Sequence, residues 1–422
     1  ACVLLYYGII NQLTNGHFPL TLIVAGIAMT LTALSYAKMC RKYPVAGSVY
    51  SYVSKSIGPR LGFAAGWTMM LDYFLLPMAC YLSLGLYLNI LVPAVPIWAW
   101  IIIGVIFVAL CNYVGVTMAG FMNTINVVAP ILGLLVTIIA IIVFVAKGNG
   151  AGTLLFPEAL YNPETFQINT LMTGAAIMAI VFVGFDSVTT YAEETIEPEK
   201  NMPRAVVIIC VGAAIEFFIC AYIMNCGWPW ADAASVIQNP DTAITEYNEH
   251  IGIAWMNFIF IIINTLASIG CCIAGQGATA RILLGMGRDG FIPRKFFGYV
   301  HPKFKTPSRN ILLSAVVGLT AIFFQDSLTN AMSLVSFGAI MGFILTNISV
   351  IARFWVRDKE RSGSAVIKYL IIPAIAAAVC IYLWFSLTAT AKIVGFSWLA
   401  LGVIFLAIKT KGFKELPPEM NL

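Results

Sequence analysis

The chain is written in long apolar runs separated by short polar connections. A membrane-crossing helix needs about 20 mostly apolar residues. Eleven runs of that order lie near 18–38, 61–91, 97–115, 121–146, 170–192, 205–226, 254–280, 310–325, 330–355, 366–387 and 393–408. These stretches are continuous, so a transmembrane β-barrel is excluded. One more run, Ala1 to Leu13, is about half the needed length. It has no charged cap or signal-peptide n-region and reads as the second half of a helix whose first half lies outside this sequence. The pattern predicts an all-α polytopic membrane protein, a single transmembrane domain over 1–422. Within it, 1–13 is the half-helix, 18–146 holds four helices, 170–355 five and 366–408 two.

Composition agrees with the pattern. Apolar residues make up 60% of the 422 and charged residues 10%, against about 25% charged in soluble domains. The mean hydropathy is +0.90. Disorder, a collagen-like repeat, a disulfide-stapled mini-protein and an ordinary soluble enzyme are ruled out. The ten cysteines lie mostly in or at the ends of apolar runs without paired CxxC spacing; they read as small buried hydrophobes, not zinc ligands.

The net charge of +5 points to nucleic acid only until its distribution is read. Of the 24 Lys and Arg, 22 fall on alternate connections and the tail, and only Lys147 and Lys392 fall on the other side. The stretch 227–251 carries Asp232, Asp241, Glu246 and Glu249 with no Lys or Arg. Lys and Arg collect on the cytoplasmic side, so the C-terminus is expected there, in a plasma membrane (the inner membrane if bacterial). The partner is the bilayer, not nucleic acid.

The informative residues are those a lipid-facing helix would not choose. In Ile180-Val-Phe-Val-Gly-Phe-Asp186 an apolar half-helix reaches Gly184, and Asp186 follows, then Ser187, Thr189 and Thr190. This reads as a discontinuous helix exposing backbone groups to a cavity; the other reading is a glycine that only allows close helix packing. Asp72 lies about 16 Å into its span, followed by Tyr73 and by Pro77, which can bend the helix. A carboxylate beside an aromatic ring suits an ammonium ligand; alternatively it bonds neighbouring helices. Glu216 is also near mid-span, with a proton-accepting role and a protonated structural role weighed equally. Intramembrane acids are costly and usually functional.

Some matches carry little. Gly285-Met-Gly-Arg-Asp-Gly290 fits GxGxxG but follows a membrane helix rather than a strand. His17, His250 and His301 are far apart, and no Walker-type motif is present. No cofactor or metal is called for.

Phe182-Val-Gly-Phe-Asp186 followed by Glu193-Glu194 resembles the sixth-helix signature of the amino acid–polyamine–organocation superfamily of transporters. Pro44-Val-Ala-Gly-Ser-Val-Tyr50 resembles its loop between helices two and three, and Gly287-Arg-Asp-Gly-Phe-Ile-Pro293 its connection after helix eight. Within it, Asn15-Gly-His-Phe-Pro19, Leu71-Asp-Tyr73 and His301-Pro-Lys-Phe-Lys-Thr-Pro307 look most like the putrescine importers. The resemblance implies a five-plus-five inverted repeat with two extra C-terminal helices, the first helix here only half present. It implies substrate bound between broken helices one and six, near Tyr7, Gly8, Phe182, Gly184 and Phe185. It puts Tyr73 against the substrate and Asp186 in gating or proton coupling. One departure is Leu5, where the putrescine importers carry an Asp; Glu216 could supply a replacement charge.

The sequence thus predicts a secondary active transporter importing a small organic amine by alternating access. Putrescine or a related polyamine is the first choice, with Asp72 and Tyr73 holding the ammonium. Asp186 and Glu216 would serve coupling, to a proton or else sodium. An amino acid permease of the same superfamily is the second reading, and a non-transporting membrane scaffold or subunit the rival from another class. A channel ranks lower, and no nucleophile–base pair suggests an enzyme.

Overall fold

Hydrocarbon offers a backbone no hydrogen-bond partners, so runs of this kind must coil into helix. The computed structural model describes residues 2–44, 48–114, 119–186, 188–189, 195–288 and 292–412, and every regular element among them is helical. A 3₁₀ turn, Cys2–Tyr6, leads into α1 (Tyr7–Thr14). Then come α2 (Phe18–Lys42), α3 (Ser48–Ser56), α4 (Pro59–Leu91), α5 (Ile97–Val114) and α6 (Ala119–Ala146). The helix α7 (Ile168–Met178) ends in a 3₁₀ turn, Ala179–Phe182. It is followed by α8 (Pro198–Gly227), the short α9 (Trp230–Ala233), α10 (Ala243–His250), α11 (Met256–Arg288) and the short α12 (Arg294–Phe297). Last are α13 (Ser308–Gly318), α14 (Leu328–Val350), the short α15 (Gly363–Ala365), α16 (Ile372–Phe385) and α17 (Ala389–Lys409).

Among the described residues, nine helices are long and apolar enough to cross a membrane. The predicted spans 170–192 and 310–325 take the form of shorter apolar helices, Ile168–Phe182 and Ser308–Phe324. Residues Val45, Ala46, Gly47, Ser187, Thr190, Glu193, Glu194 and 289–291, quoted above for a break or a resemblance, lie outside the described residues.

Burial separates central from peripheral helices. The apolar window of Asn330–Arg357 is 83% buried and that of Val128–Ala146 only 22%, so α14 is central and α6 faces lipid. Around α14 pack α2, α4 and α16, while α2 lies along α8 and α4 along α11. Close approach of α14 and α4 depends on Gly338, where a Cβ would stand 2.8 Å from Thr68 O and 2.9 Å from Asp72 N. Side-chain amides join helices where lipid provides no hydrophobic drive: Asn112 to Gln276 at 2.7 Å, Asn264 to Ser83 Oγ at 3.2 Å and Asn347 to Thr32 Oγ1 at 3.0 Å. Trp67 and Trp398 stack at 4.8 Å, and each indole N–H donates to the other's carbonyl at 2.8 Å, tying α17 to α4.

The two ends differ chemically. On the basic side, Asp358 pairs with Lys42 at 3.3 Å and Arg353 at 3.2 Å, and the Arg357 guanidinium donates to the carbonyls of Lys55 and Ile57. On the acidic side, the segment 228–255 folds over the ends of α1, α4 and α14. Tyr87 Oη donates to Asp241 O at 3.2 Å, and the Asp241 carboxylate accepts the Leu328 N–H at 3.0 Å. That acid satisfies an otherwise orphaned donor at the α14 N-terminus.

Candidate functional site

The site begins at the proline within α4. Pro77 lies inside the helix and has no N–H to give to the carbonyl four residues earlier, which is that of Tyr73. One turn before Pro77, Asp72 is 2% exposed, and its Oδ1 has no hydrogen-bond partner among the described residues. No Lys or Arg pairs with it among those residues. A buried carboxylate oxygen left unmatched costs several kcal/mol in idealised terms.

The second part is the end of α7. After Phe182 the chain leaves helix, with Val183 at ψ 129° and Gly184 at φ 123°. A Cβ on Gly184 would meet nothing within 4 Å. The glycine is therefore needed for its backbone conformation and not for close packing, and the helix breaks off here; residues 187 and 190–194, where a second half would run, lie outside the described residues. Asp186 is 1% exposed; its Oδ1 accepts the Gly184 N–H at 3.1 Å, and its carbonyl accepts from Thr189 Oγ1 at 2.6 Å. The carboxylate thus braces the break. It also stands within electrostatic reach of Asp72 and of the hydroxyls of Tyr36 and Tyr52.

Beside it lies a cluster of rings from four segments. Phe185 stacks on Phe343 at 5.3 Å, and Tyr36 meets Phe185, Phe343 and Tyr52 edge-on at 5.4, 6.0 and 6.1 Å. The structure thus brings Asp72, Tyr73, Gly184, Phe185 and Asp186 to one region, with Tyr36, Tyr52 and Phe343 beside them. The last three were missed in the sequence: a tyrosine or phenylalanine in an apolar run looks like core, and only its contact with a buried acid singles it out.

Other residues expected at the site lie elsewhere. Gly8 sits inside regular α1, not at a break; a Cβ there would collide with Ala243 Cβ and stand 2.5 Å from Pro240 O. Tyr7 donates its hydroxyl to Trp228 O and meets Tyr247 edge-on at 4.8 Å, so both residues fasten the acidic-side segment. There His250, though exposed, stacks on Trp228 at 4.2 Å, and partial burial holds its pKa below the ordinary histidine range against an upward pull from Asp232. Phe182 turns toward α2 and α8, edge-on to Phe217 at 5.4 Å and near Gly26. Glu216 does not join the central acids; it is exposed on the outer face of α8, level with Gly212 and Ile215. Its neighbours Gly212, Ile215 and Ile219 are exposed as well, so this stretch of α8 turns away from the core. Among the described residues, no group of three or more His, Cys, Asp or Glu is placed to hold a metal ion.

Comparison with known proteins places the sequence in a family. The family described as amino acid permease matches residues 2–410. The low-affinity putrescine importer PlaP of Escherichia coli K12 is 35% identical over 98% of this chain and 90% of its own length. The branched-chain amino acid permease BcaP of Bacillus subtilis is 26% identical over 94% and 86%, and the methylthioribose transporter of the same organism 26% over 91% and 84%. A helical membrane bundle with a broken α7, matched along nearly its whole length, belongs to the amino acid permease family of transporters within the amino acid–polyamine–organocation superfamily.

Proposed function

We propose that this transporter takes up a small organic amine by alternating access, with putrescine as the first candidate substrate. The observation that carries the reading is Asp72 Oδ1: buried, unmatched among the described residues, and within electrostatic reach of a second acid. An ammonium group supplies both the donor and the charge that this place lacks. Tyr73 follows it on α4, and the aromatic rings beside Asp186 offer faces to a cation. A diamine has a second ammonium for the Asp186 end.

An amino acid is the second reading, in keeping with the name of the relative BcaP. Its carboxylate would need free donors at the break. The Gly184 N–H, a donor exposed by that break, is already taken by Asp186 Oδ1. This favours an amine without a carboxylate.

Asp186, bracing the break and coupled to Asp72, is assigned to gating or proton coupling, and a proton is preferred over sodium as the coupling ion. The basic side is assigned to the cytoplasm by the positive-inside rule, in a plasma membrane. Labelled putrescine uptake into proteoliposomes tests the reading: uptake should follow an imposed pH gradient and be competed by other diamines more strongly than by branched-chain amino acids. Uptake of the amino acids alone would replace it with the second reading.

A further inference from the structure

Pro77 removes the N–H that would bond the Tyr73 carbonyl, and its ring crowds that oxygen. In lipid such an orphan must be met from elsewhere. It is met by α11. Thr279 Oγ1 lies 2.9 Å from Tyr73 O and 2.8 Å from its own helix's Gly275 O, so its single hydroxyl proton is shared between the two carbonyls. One turn before Thr279, Gly275 leaves room for the proline: a Cβ there would stand 2.9 Å from Pro77 Cγ. One further turn back, Cys272 Sγ lies 3.4 Å from Pro77 O. Three positions on one face of α11 therefore hold α4 at Pro77, and the hold acts on the residue next to Asp72.

We infer that Thr279 is a positioning residue for the substrate site: its hydroxyl holds the Tyr73 carbonyl freed by Pro77 and so sets where the Asp72 carboxylate stands. The inference rests on the amine reading for its kinetic consequence, but not for its structural one. Thr279 touches no substrate in this account; it acts through the Tyr73 carbonyl. Removing the hydroxyl takes this donor from the carbonyl, which then competes for the ammonium or lets α4 shift at Pro77. Serine keeps the donor. Alanine at position 77 restores the helix's own N–H to Tyr73 O, so the hydroxyl should no longer matter there.

The test uses full-length wild type and the variants Thr279→Val, Thr279→Ser, Pro77→Ala and the double Pro77→Ala/Thr279→Val, with two readouts. In proteoliposomes, Thr279→Val should raise the putrescine KM about tenfold with Vmax per folded transporter held, and Thr279→Ser should behave as wild type. On the Pro77→Ala background the valine change should shift KM by no more than about twofold. Hydrogen–deuterium exchange over residues 70–80, which needs no substrate, should speed up in Thr279→Val but not in Thr279→Ser or between Pro77→Ala and the double variant. A wild-type KM and exchange pattern in Thr279→Val overturns the inference, as does a KM shift that persists undiminished on Pro77→Ala. Should wild type fail to take up putrescine, the amine reading falls, and the exchange comparison alone decides whether Thr279 holds α4 at Pro77.

Discussion

At the residue scale the site is built from groups placed where their surroundings do not satisfy them by ordinary means. Asp72 is one, and Gly184 is another, because φ 123° is a conformation an L side chain rarely adopts. Gly184→Ala meets no steric contact, so its whole effect is backbone strain, about 1–2 kcal/mol by the left-handed penalty. The expected outcome is a lower thermal unfolding temperature and slowed uptake, with Gly212→Ala, also unhindered but with ordinary backbone, as the near-neutral control. Outside the membrane, His250 should titrate below the ordinary histidine range by NMR, because its ring is covered by Trp228. Its neutral form is the one the fold favours, so acidification through that lowered pKa weakens this corner and alkaline conditions leave it intact. Trp228→Ala should move the midpoint back up.

At the element scale, helix existence was legible and helix role was not. Apolar runs located α2, α4, α8, α11, α14, α16 and α17 because lipid enforces both length and backbone pairing. The break in α7 was legible from Gly184 and Asp186, since a glycine followed by an acid has few uses at that depth. What could not be read was which glycines serve packing. Gly8 looked like a second break, yet it is the contact point for Pro240 and Ala243. Gly338 drew no notice, though it is where α14 touches the backbone of Asp72. Those distinctions depend on what the facing helix presents, and a single chain does not display that. Gly338→Ala should push α4 from α14, since the clashing atoms are backbone: a destabilisation of about 1–3 kcal/mol by the overpacking rule, read in thermal unfolding, and impaired uptake. Glu216 illustrates the same limit. Depth along a helix is visible in sequence, whereas direction around it is set by the neighbours, and α8 turns this acid outward.

At the scale of the whole molecule, both ends are fastened by polar contacts of opposite character. The basic side closes through Asp358 with Lys42 and Arg353; the acidic side closes through Tyr7 and Tyr87, which bond to Trp228 and Asp241 of the segment 228–255. A molecule that alternates must release these in turn. The basic-side pairs are part-exposed, so their worth is small and salt-sensitive. Asp358→Asn should accordingly leave the fold intact while raising the accessibility of Cys40 to a membrane-permeant thiol reagent, measured as labelling rate. The asymmetry of the ends was plain in the distribution of charge; the partners closing each end, such as Lys42 with Asp358 and Tyr7 with Trp228, were not, because they lie far apart in sequence.

The central claim is that Asp72 holds an ammonium group, and binding tests it more directly than transport does. Calorimetric titration of putrescine into purified wild-type protein and into Asp72→Asn compares a carboxylate with its neutral isostere. Loss of a charge-assisted bond predicts an affinity at least about tenfold weaker in the variant, with unfolding temperature little changed. Equal affinity in the two proteins would contradict the account.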